Sequence, residues 1–371
     1  LVFDSLSEMR LLAQSSLRYR RQILALKQFF AGRRCTVMML DDRTGDGADL
    51  QLQSIAHGVI SLEHRAPSYG RALRQARVVK FRGSDFRSGF HHMALTRGGI
   101  EVYPRLAAAE HGAAYSQSQI ASGVAALDRM LGGGVDMGTS TLLIGPAGSG
   151  KSTVALQYAT AAAQRGEHAQ VFTFDESKAT MVSRTMGLGM ALKEGTGPGQ
   201  VSVRQVDPAE ISPGQFAHMV REAVEVNHAK VIVIDSLNGY MNAMVDGQYL
   251  TAQLHELLAY LGNHGVSSFL IAAQTGMIAT QMGSPGDASY LADSVIYLRY
   301  FEHAGQVKKA VSVLKKRSGS HEHTIRELRM DARGLHLSDP LVQFRGTLSG
   351  VPVEVTSIDE NGPGAGQARR L

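Results

Sequence analysis

The chain has 371 residues, of which 44% are apolar and 19% are charged, and its formal net charge is +5 at pH 7. This composition is that of a globular protein long enough for two or three domains, and it excludes collagen-like and low-complexity chains. A single cysteine, Cys35, excludes an internal disulfide framework and a metal site built from several cysteines.

The sequence carries no signal for a membrane or for secretion. No apolar run approaches the roughly 18 residues of a membrane-spanning helix, and no secretory signal opens the chain. We therefore expect a cytoplasmic protein. The first residue is Leu1 rather than Met, and residues 1–4 have the pattern of a strand interior, so we expect the natural chain to begin further upstream.

The first predicted elements are two apolar strands separated by a helix. Residues 1–4 predict a strand, and the run of Leu, Gln and Arg around 11–26 predicts a helix. Residues 35–40 predict a buried strand, in which Cys35 is a small core residue rather than a reactive thiol. Residues 41–49 are acidic but lack the bidentate Glu of a calcium loop, so we interpret them as a solvated turn.

Charge is distributed unevenly along the chain. Residues 1–118 contain 17 Lys and Arg against 10 Asp and Glu, whereas residues 119–371 contain 21 against 23. A local basic surplus is compatible with nucleic acid or with the phosphates of a neighbouring subunit as a partner, and a solvated helix face produces the same surplus.

Strands and helices alternate regularly after residue 119. Apolar runs predict strands at 140–144, 170–174, 201–204, 230–234 and from Ser268, and helices at 152–164 and 247–263. Alternating β and α units predict an α/β fold with a mostly parallel sheet and helices on both faces.

An internal repeat organises the chain, because five segments of the first part recur in order in the second. Residues 1–6 match 232–237 at one end of the repeat, and residues 78–83 match 313–318 at the other. The predicted organisation is a first module reduced to its C-terminal part, a linker, a complete module and a tail disordered at its end, at residues 1–108, 109–118, 119–346 and 347–371.

A phosphate-binding loop is the most specific motif of the sequence. Residues 145–152 fit G-x-x-x-x-G-K-[ST] between a predicted strand and a predicted helix, which is the context that the motif requires. Backbone N–H groups of such a loop surround phosphate oxygens, and the helix N-terminus adds a positive dipole. The predicted nucleotide-binding residues are Gly145, Pro146, Ala147, Gly148, Ser149, Gly150, Lys151, Ser152 and Thr153.

Three carboxylates follow predicted strands of the same module. Asp235 ends the run 231–234, where a carboxylate is placed to hold Mg²⁺ together with the Ser152 hydroxyl. The alternative is a strand-end turn Asp, and the presence of the phosphate loop favours metal contact. Asp175 and Glu176 follow the strand at 170–174. A carboxylate there can activate the attacking water, and we favour Glu176. The alternative is a helix N-cap formed by Asp175.

Two basic pairs occupy matching positions of the repeat. Lys315 and Arg317 lie on a late strand and are repeated as Lys80 and Arg82. Alternate positions on a strand share one face, so each pair can meet phosphate charge, including charge bound by an adjacent subunit. The alternative is an edge strand protected by cations.

Together these residues resemble the KaiC family of RecA-superfamily ATPases. The resemblance is carried by residues 122–134, the phosphate loop, Phe174-Asp-Glu-Ser177, Ile234-Asp-Ser-Leu237 and Lys315-Lys-Arg-Ser318. It implies tandem RecA-like modules, assembly into a homohexamer of two stacked rings, and ATP with Mg²⁺ bound between subunits. Asp175 and Glu176 are then the catalytic acids, although two Glu are more usual in the family. Lys315 and Arg317 then reach a neighbour's γ-phosphate, as Lys80 and Arg82 do in the first ring.

The resemblance also raises the question of a kinase activity. Clock members of the family phosphorylate themselves on adjacent Ser and Thr, and the matching positions here are Ser289 and Tyr290. Ser289 is therefore a candidate phosphosite, whereas Tyr290 places its hydroxyl further from the backbone than the usual Thr. A circadian role does not follow from these residues.

Three functions compete at this point. The favoured one is an ATPase with serine autokinase capacity that acts as a ring-forming signalling switch toward unknown protein partners. A DNA-acting RecA-type motor is allowed by the basic first segment but disfavoured by the scarcity of aromatic stacking positions. A nucleotide-dependent scaffold with little turnover is the third. His91-His92 and His321-Glu-His323 lack metal-site spacing, so we interpret them as polar loop residues.

Overall fold

The computed structural model describes residues 1–42, 50–66, 70–107, 118–243, 247–274, 290–345 and 353–354. Two compact units divide the chain. The first combines Leu1–Glu63 with Gln75–His91, and the second combines His64–Arg74 with the residues from His92 onward. The predicted linker and tail lie almost entirely outside the described residues, so the predicted module boundaries stay predictions.

The N-terminal part of the chain contains both helices and strands. The elements are β1 (Val2–Phe3), α1 (Leu6–Ala13), α2 (Ser16–Ala31), β2 (Met38–Met39), α3 (Leu50–Ile55), β3 (Gly58–Arg65) and β4 (Leu73–Phe81). Strands β1 and β2 pair in parallel. Helices α1 and α2 pack together, and the small apolar cluster of this region consists of Leu6, Ala13, Tyr19, Ile23 and Ile55.

The prediction of a buried strand at residues 35–40 is wrong for most of its length. Only Met38 and Met39 are paired, and Cys35 is exposed in the segment between α2 and β2. The physical reason is the lack of a covering layer, since β2 has β1 as its one strand neighbour among the described residues. An apolar segment becomes a core strand only when another element packs on it.

The second unit contains the larger set of elements. They begin with β5 (His91–Thr96), β6 (Gly99–Tyr103), β7 (Gln119–Ile120), α4 (Ala125–Met130), β8 (Val135–Asp136), β9 (Ser140–Gly145), α5 (Lys151–Gln164), β10 (His168–Thr173), α6 (Lys178–Gly187) and β11 (Val201–Gln205). They continue with α7 (Pro213–Glu225), β12 (Ala229–Asp235), α8 (Leu237–Ala243), α9 (Gly247–Asn263), β13 (Ser267–Ala273), β14 (Ser294–His303), β15 (Gln306–Lys316), β16 (Ile325–Asp331), β17 (Gly334–Pro340), β18 (Phe344–Arg345) and β19 (Val353–Glu354).

A nine-stranded sheet forms the centre of the second unit as far as the structure describes it. Its order is β11-β10-β12-β13-β9-β14-β15-β16-β17. In this order, each pairing from β11 across to β14 is parallel. Each pairing from β14 across to β17 is antiparallel. The α/β prediction with a mostly parallel sheet is confirmed, with an antiparallel extension on one side.

Helices cover both faces of the parallel part. Helix α5 packs on β10, β12 and β13, with the Tyr158 ring stacked on Phe269 at 4.5 Å between ring centroids. Helices α7 and α9 belong to a separate apolar cluster, in which Phe216 meets Phe172 edge-on. Strands buried from both sides must be apolar throughout, which explains the uninterrupted run at the centre of β12. None of the helices in the described ranges combines the length and apolar character that a bilayer crossing requires.

The strand register brings distant residues to one edge of the sheet. Thr173 at the end of β10 pairs with Asp235 at the end of β12, and Gly145 at the end of β9 pairs with Ala273 of β13. Because the strands are parallel, the residues that follow them emerge at the same edge, where ligands of open α/β sheets bind.

Candidate functional site

The phosphate loop connects β9 to α5 as the sequence predicts. Gly145 is the last residue of β9, and a Cβ there would lie 2.3 Å from the carbonyl oxygen of Leu298 on β14. Gly150 has φ of 107°, a left-handed conformation that disfavours side chains, and α5 begins at the next residue. Two glycines of the motif are therefore required, one by close packing and one by backbone conformation.

Lys151 lies inside the loop rather than in solvent. Its side chain is buried, and its Nζ donates to the carbonyl oxygen of Pro146 at 2.7 Å. Burial lowers the pKa of Lys151, and the negative charge of Asp235 opposes that shift. The ammonium group is thus held at the N-terminus of α5, where the first-turn N–H groups lack intrahelical acceptors.

Ser149 provides a test of whether the loop fits phosphate. Its hydroxyl is buried and has no hydrogen-bond partner among the described residues. Buried hydroxyl groups are normally satisfied, and an orphaned one indicates a missing partner. A phosphate oxygen bound by the loop would satisfy this hydroxyl, so the residues present fit a bound nucleotide.

Asp235 and Ser152 are brought together at the end of β12. Burial raises the pKa of Asp235, while the nearby Ser152 hydroxyl and the charge of Arg184 act in the opposite direction. A carboxylate and a hydroxyl that lie close together are the hard oxygen ligands that Mg²⁺ takes, and Mg²⁺ usually completes its shell with water and substrate phosphates. The donor set therefore fits the predicted magnesium site.

The acidic pair lies at the same edge, and its two members face different partners. The Asp175 carboxylate accepts a short hydrogen bond from the Ser236 hydroxyl. The Glu176 carboxylate accepts from Arg184, at 3.2 Å from Nε and 2.7 Å from Nη2. Both carboxylates contribute to raising the pKa of Asp235, which reflects their proximity to it. The alternative in which Asp175 caps the next helix is wrong, because Ser177 is the N-cap of α6.

Arg184 is a site residue that sequence reasoning missed. It lies on α6 eight positions after Glu176, and its Nη1 also donates to the Thr153 hydroxyl at 3.1 Å. The sequence around Arg184 contains no motif. An arginine on a predicted helix is normally interpreted as a solvated charge. Only the packing of α6 beside α5 reveals its position.

The basic pair of the second unit contacts its own chain. Lys315 Nζ donates to the carbonyl oxygen of Ala292 at 2.7 Å, and Arg317 pairs with Asp293 at 3.1 Å. Arg317 Nη2 also donates to the carbonyl oxygen of Tyr290 at 2.7 Å. These contacts lie next to the start of β14, so the structure does not bring the pair to the phosphate loop of the same subunit. The edge-strand alternative stays open, because β15 pairs with β16 only at residues 310–312, before Lys315.

The basic pair of the first unit makes contacts of the same kind. Lys80 Nζ donates to the carbonyl oxygen of Gln53 at 2.7 Å, and Arg82 Nη2 donates to that of Ser54 at 2.8 Å. Desolvation and the neighbouring Arg82 lower the pKa of Lys80. In both repeats the pair therefore donates to backbone carbonyl groups that lie a few residues before a strand. That strand is β3 in the first unit and β14 in the second.

Two further predictions concern Ser289 and the histidines at 321 and 323. Ser289 lies outside the described residues, although Tyr290 beside it is described and exposed. The rings of His321 and His323 lie 4.5 Å apart, and no group of three or more His, Cys, Asp or Glu side chains suited to a metal occurs in the described part of the chain.

The loop, the strand-end aspartate and the acidic pair at the carboxyl edge of a mostly parallel sheet define a RecA-like P-loop ATPase module. The comparison with known families agrees. The family described as "ATPase: KaiC" matches residues 1–107 and 120–340. The chain therefore belongs to the KaiC ATPase family, as its sequence motifs predict.

Curated relatives give the same assignment at low identity. The chain is 25% identical over 281 residues to the circadian clock protein KaiC3 of Synechocystis sp. (strain ATCC 27184 / PCC 6803 / Kazusa), covering 76% of this chain and 55% of the relative. It is 24% identical over 291 residues to the circadian clock oscillator protein KaiC of Rippkaea orientalis, covering 78% and 56%. For the KaiC of Synechococcus elongatus the values are 25% over 292 residues, 78% and 55%. The chain thus spans about half the length of the curated relatives it matches.

Proposed function

We propose that the second unit hydrolyses ATP with Mg²⁺. The observation that carries this proposal is the convergence of Lys151, the unpartnered Ser149 hydroxyl, the Ser152–Asp235 pair and Glu176 at one edge of the sheet. No other described part of the chain combines a phosphate loop with carboxylates.

Each group has a task in the proposed reaction. Backbone N–H groups of the loop and Lys151 hold the β- and γ-phosphates, and Thr153 extends the contact along the first turn of α5. Ser152 and Asp235 would hold Mg²⁺, which when bound neutralises phosphate charge. Glu176 orients a water and accepts its proton as the new oxygen–phosphorus bond forms and the bond to the leaving ADP oxygen breaks.

The catalytic assignment is tested with two variants of the acidic pair. Glu176→Gln keeps the size of the side chain but removes the base, so we expect turnover to fall by about 10²- to 10⁴-fold with ATP still bound. Asp175→Asn should have a smaller effect, because Asp175 is hydrogen-bonded to Ser236. Release of labelled phosphate from γ-³²P-ATP measures both, and a Glu176→Gln protein with wild-type turnover contradicts the assignment.

We further propose that the active form is a ring, a homohexamer, in which Lys315 and Arg317 act on ATP bound by a neighbour. Two observations support this proposal: the basic pair lies away from its own loop, and its two cations lie two positions apart, Lys315 on β15 and Arg317 one residue beyond its end. Lys80 and Arg82 would occupy the matching place in the first ring. Such a ring would act as a signalling switch toward protein partners.

A mixing experiment tests contact in trans. Lys151→Ala subunits cannot hold ATP, and Arg317→Ala subunits cannot assist a neighbour, so each variant alone should be inactive. Mixed rings should recover part of the activity, since an intact Arg317 then faces an intact loop, and a cation supplied in trans is worth about 10³- to 10⁵-fold in rate. Absence of recovery in rings that sediment as hexamers contradicts the contact in trans.

Serine autokinase activity is the remaining proposal. Ser289 is the candidate acceptor, and it is separated in sequence from the Arg317 contact at Tyr290 by a single peptide bond. Incubation with γ-³²P-ATP should label the protein, and Ser289→Ala should remove the label. Phosphate release without label restricts the activity to hydrolysis, and binding without either signal favours the scaffold.

A further inference from the structure

Arg184 connects the acidic pair to the phosphate-loop helix. Its guanidinium contacts both carboxylate oxygens of Glu176 and, through its remaining nitrogen, the hydroxyl of Thr153. All three nitrogens are therefore engaged, and the partners belong to the segment after β10 and to the first turn of α5.

These contacts control the direction of the Glu176 carboxylate. The backbone of Glu176 is held by Thr173, whose hydroxyl donates to the Glu176 carbonyl oxygen at 2.8 Å and accepts from its N–H at 3.3 Å. The carboxylate itself has Arg184 as its side-chain partner within the described ranges. A bidentate guanidinium fixes both the position and the plane of a carboxylate, which a single point charge cannot do.

The pair is also partly shielded from water. The side chains of Arg184 and Glu176 are 33% and 26% exposed. Each carboxylate oxygen retains a further acceptor site after the guanidinium contact, so pairing does not prevent Glu176 from accepting a hydrogen bond from water. The link to Thr153, which follows Ser152 in the chain, makes the position of the base depend on the phosphate-loop helix.

We propose that Arg184 is a positioning residue that holds Glu176 in register with the phosphate loop. This inference rests on the proposed role of Glu176 in hydrolysis. Arg184 acts through the carboxylate and contributes to the rate of the chemical step rather than to the binding of ATP. A purely structural ion pair, in contrast, would stabilise α6 and leave the rate of a folded protein unchanged.

The test compares four variants in steady-state ATP hydrolysis: Arg184→Ala, Arg184→Lys, Glu176→Gln and the double variant Arg184→Ala/Glu176→Gln. Misplacement of a catalytic group by about 1 Å costs on the order of 10²-fold, so we expect Arg184→Ala to lower kcat by about 10- to 100-fold with KM for ATP little changed. Lys keeps the charge without the bidentate contact, and its kcat should lie between those of Arg and Ala.

A matched control is present in the same unit. Arg165 at the end of α5 pairs with Glu167 at 3.0 Å, and these side chains are 35% and 27% exposed, close to the values for Arg184 and Glu176. Arg165→Ala removes an ion pair of equal exposure at the other end of the helix. It should leave kcat unchanged.

The double variant separates positioning from structure. If Arg184 acts through Glu176, the double variant should be no slower than Glu176→Gln alone, because there is no base left to position. A kcat of Arg184→Ala equal to or above that of the wild type overturns the inference, and so does an additive loss in the double variant. If Arg184→Ala fails to fold, Arg184→Lys decides, and a wild-type kcat for it overturns the inference.

The outcomes for Arg184 and for the proposed function are distinguishable. Wild-type turnover that is lost in Glu176→Gln but kept in Arg184→Ala overturns the role of Arg184 alone. Full turnover in Glu176→Gln would show that Glu176 is not the catalytic base, and Arg184 would then have no base to position. Lys151-dependent ATP binding without any turnover in the wild type overturns both proposals.

Discussion

The two repeats of this chain show how much of a strand's environment is set by what packs beside it. Leu1 and Val2 match Ile232 and Val233 in sequence, yet the first two residues are each 57% exposed and the second two are buried. Strand β12 lies between β10 and β13 and is covered by α5 and α7, whereas β1 has only β2 as a strand neighbour among the described residues. The same apolar pattern therefore gives a core strand in one unit and a surface strand in the other.

Local contacts, in contrast, are kept in both units. Lys80 and Arg82 bond carbonyl oxygens near the end of α3, and Lys315 and Arg317 bond carbonyl oxygens just before β14. These contacts join segments that recur together in both repeats, so they do not need the phosphate-loop half of a module. Nucleotide chemistry does need that half, and residues 1–108 contain no phosphate-loop motif.

Asp235 and Asp4 occupy matching strand-end positions of the repeat, and we expect their substitutions to have different effects. Asp235→Asn removes the carboxylate that lies beside Ser152, so we expect Mg²⁺-dependent ATP turnover to fall by about 10²- to 10³-fold. Asp4→Asn alters the matching but exposed position and should leave turnover unchanged. Titration of the hydrolysis rate with Mg²⁺ measures both, and a similar loss in Asp4→Asn would show that the first unit shares in the chemistry.

Val233 and Val2 occupy matching positions of the repeat, on a buried strand and on an exposed one. Val233→Ala removes buried methyl groups between two helical layers, so the free energy of unfolding should fall by about 1.5–3 kcal/mol. Val2→Ala trims an exposed side chain and should change it by less than about 0.5 kcal/mol. Urea denaturation followed by far-ultraviolet circular dichroism, which reports the unfolding of both units, measures the difference. Equal costs at the two positions would mean that β1 is covered in solution.

The stability of the second unit should depend weakly on pH through the buried His168. Burial lowers the pKa of His168, whose Nδ1 lies 3.0 Å from the carbonyl oxygen of Gln200. The unfolded chain then binds more protons than the folded one, so stability is lost as pH falls through the unfolded pKa of about 6.5 toward the lower folded value. Urea midpoints at pH 7.5 and 5.5 should differ less in His168→Gln than in the wild type. An unchanged difference would assign the pH dependence to other groups.

Those parts of the molecule that depend on local pattern could be predicted from the sequence. The phosphate loop needs glycines at fixed spacing between a strand and a helix, and Asp235 and Glu176 follow apolar runs whose parallel pairing brings their ends together. What could not be predicted depends on tertiary packing. Cys35 is exposed because no layer covers it, and Arg184 is a site residue because α6 packs where its guanidinium reaches both Glu176 and Thr153.

The central claim is that the phosphate loop at residues 145–152 is the nucleotide-binding site of this chain. Titration of the protein with a non-hydrolysable ATP analogue and Mg²⁺, followed by calorimetry, tests it most directly. The predicted result is one site per chain that is lost in Lys151→Ala and kept in Lys230→Ala, which alters an exposed lysine on β12. Two sites per chain, or binding that survives in Lys151→Ala, would contradict the claim.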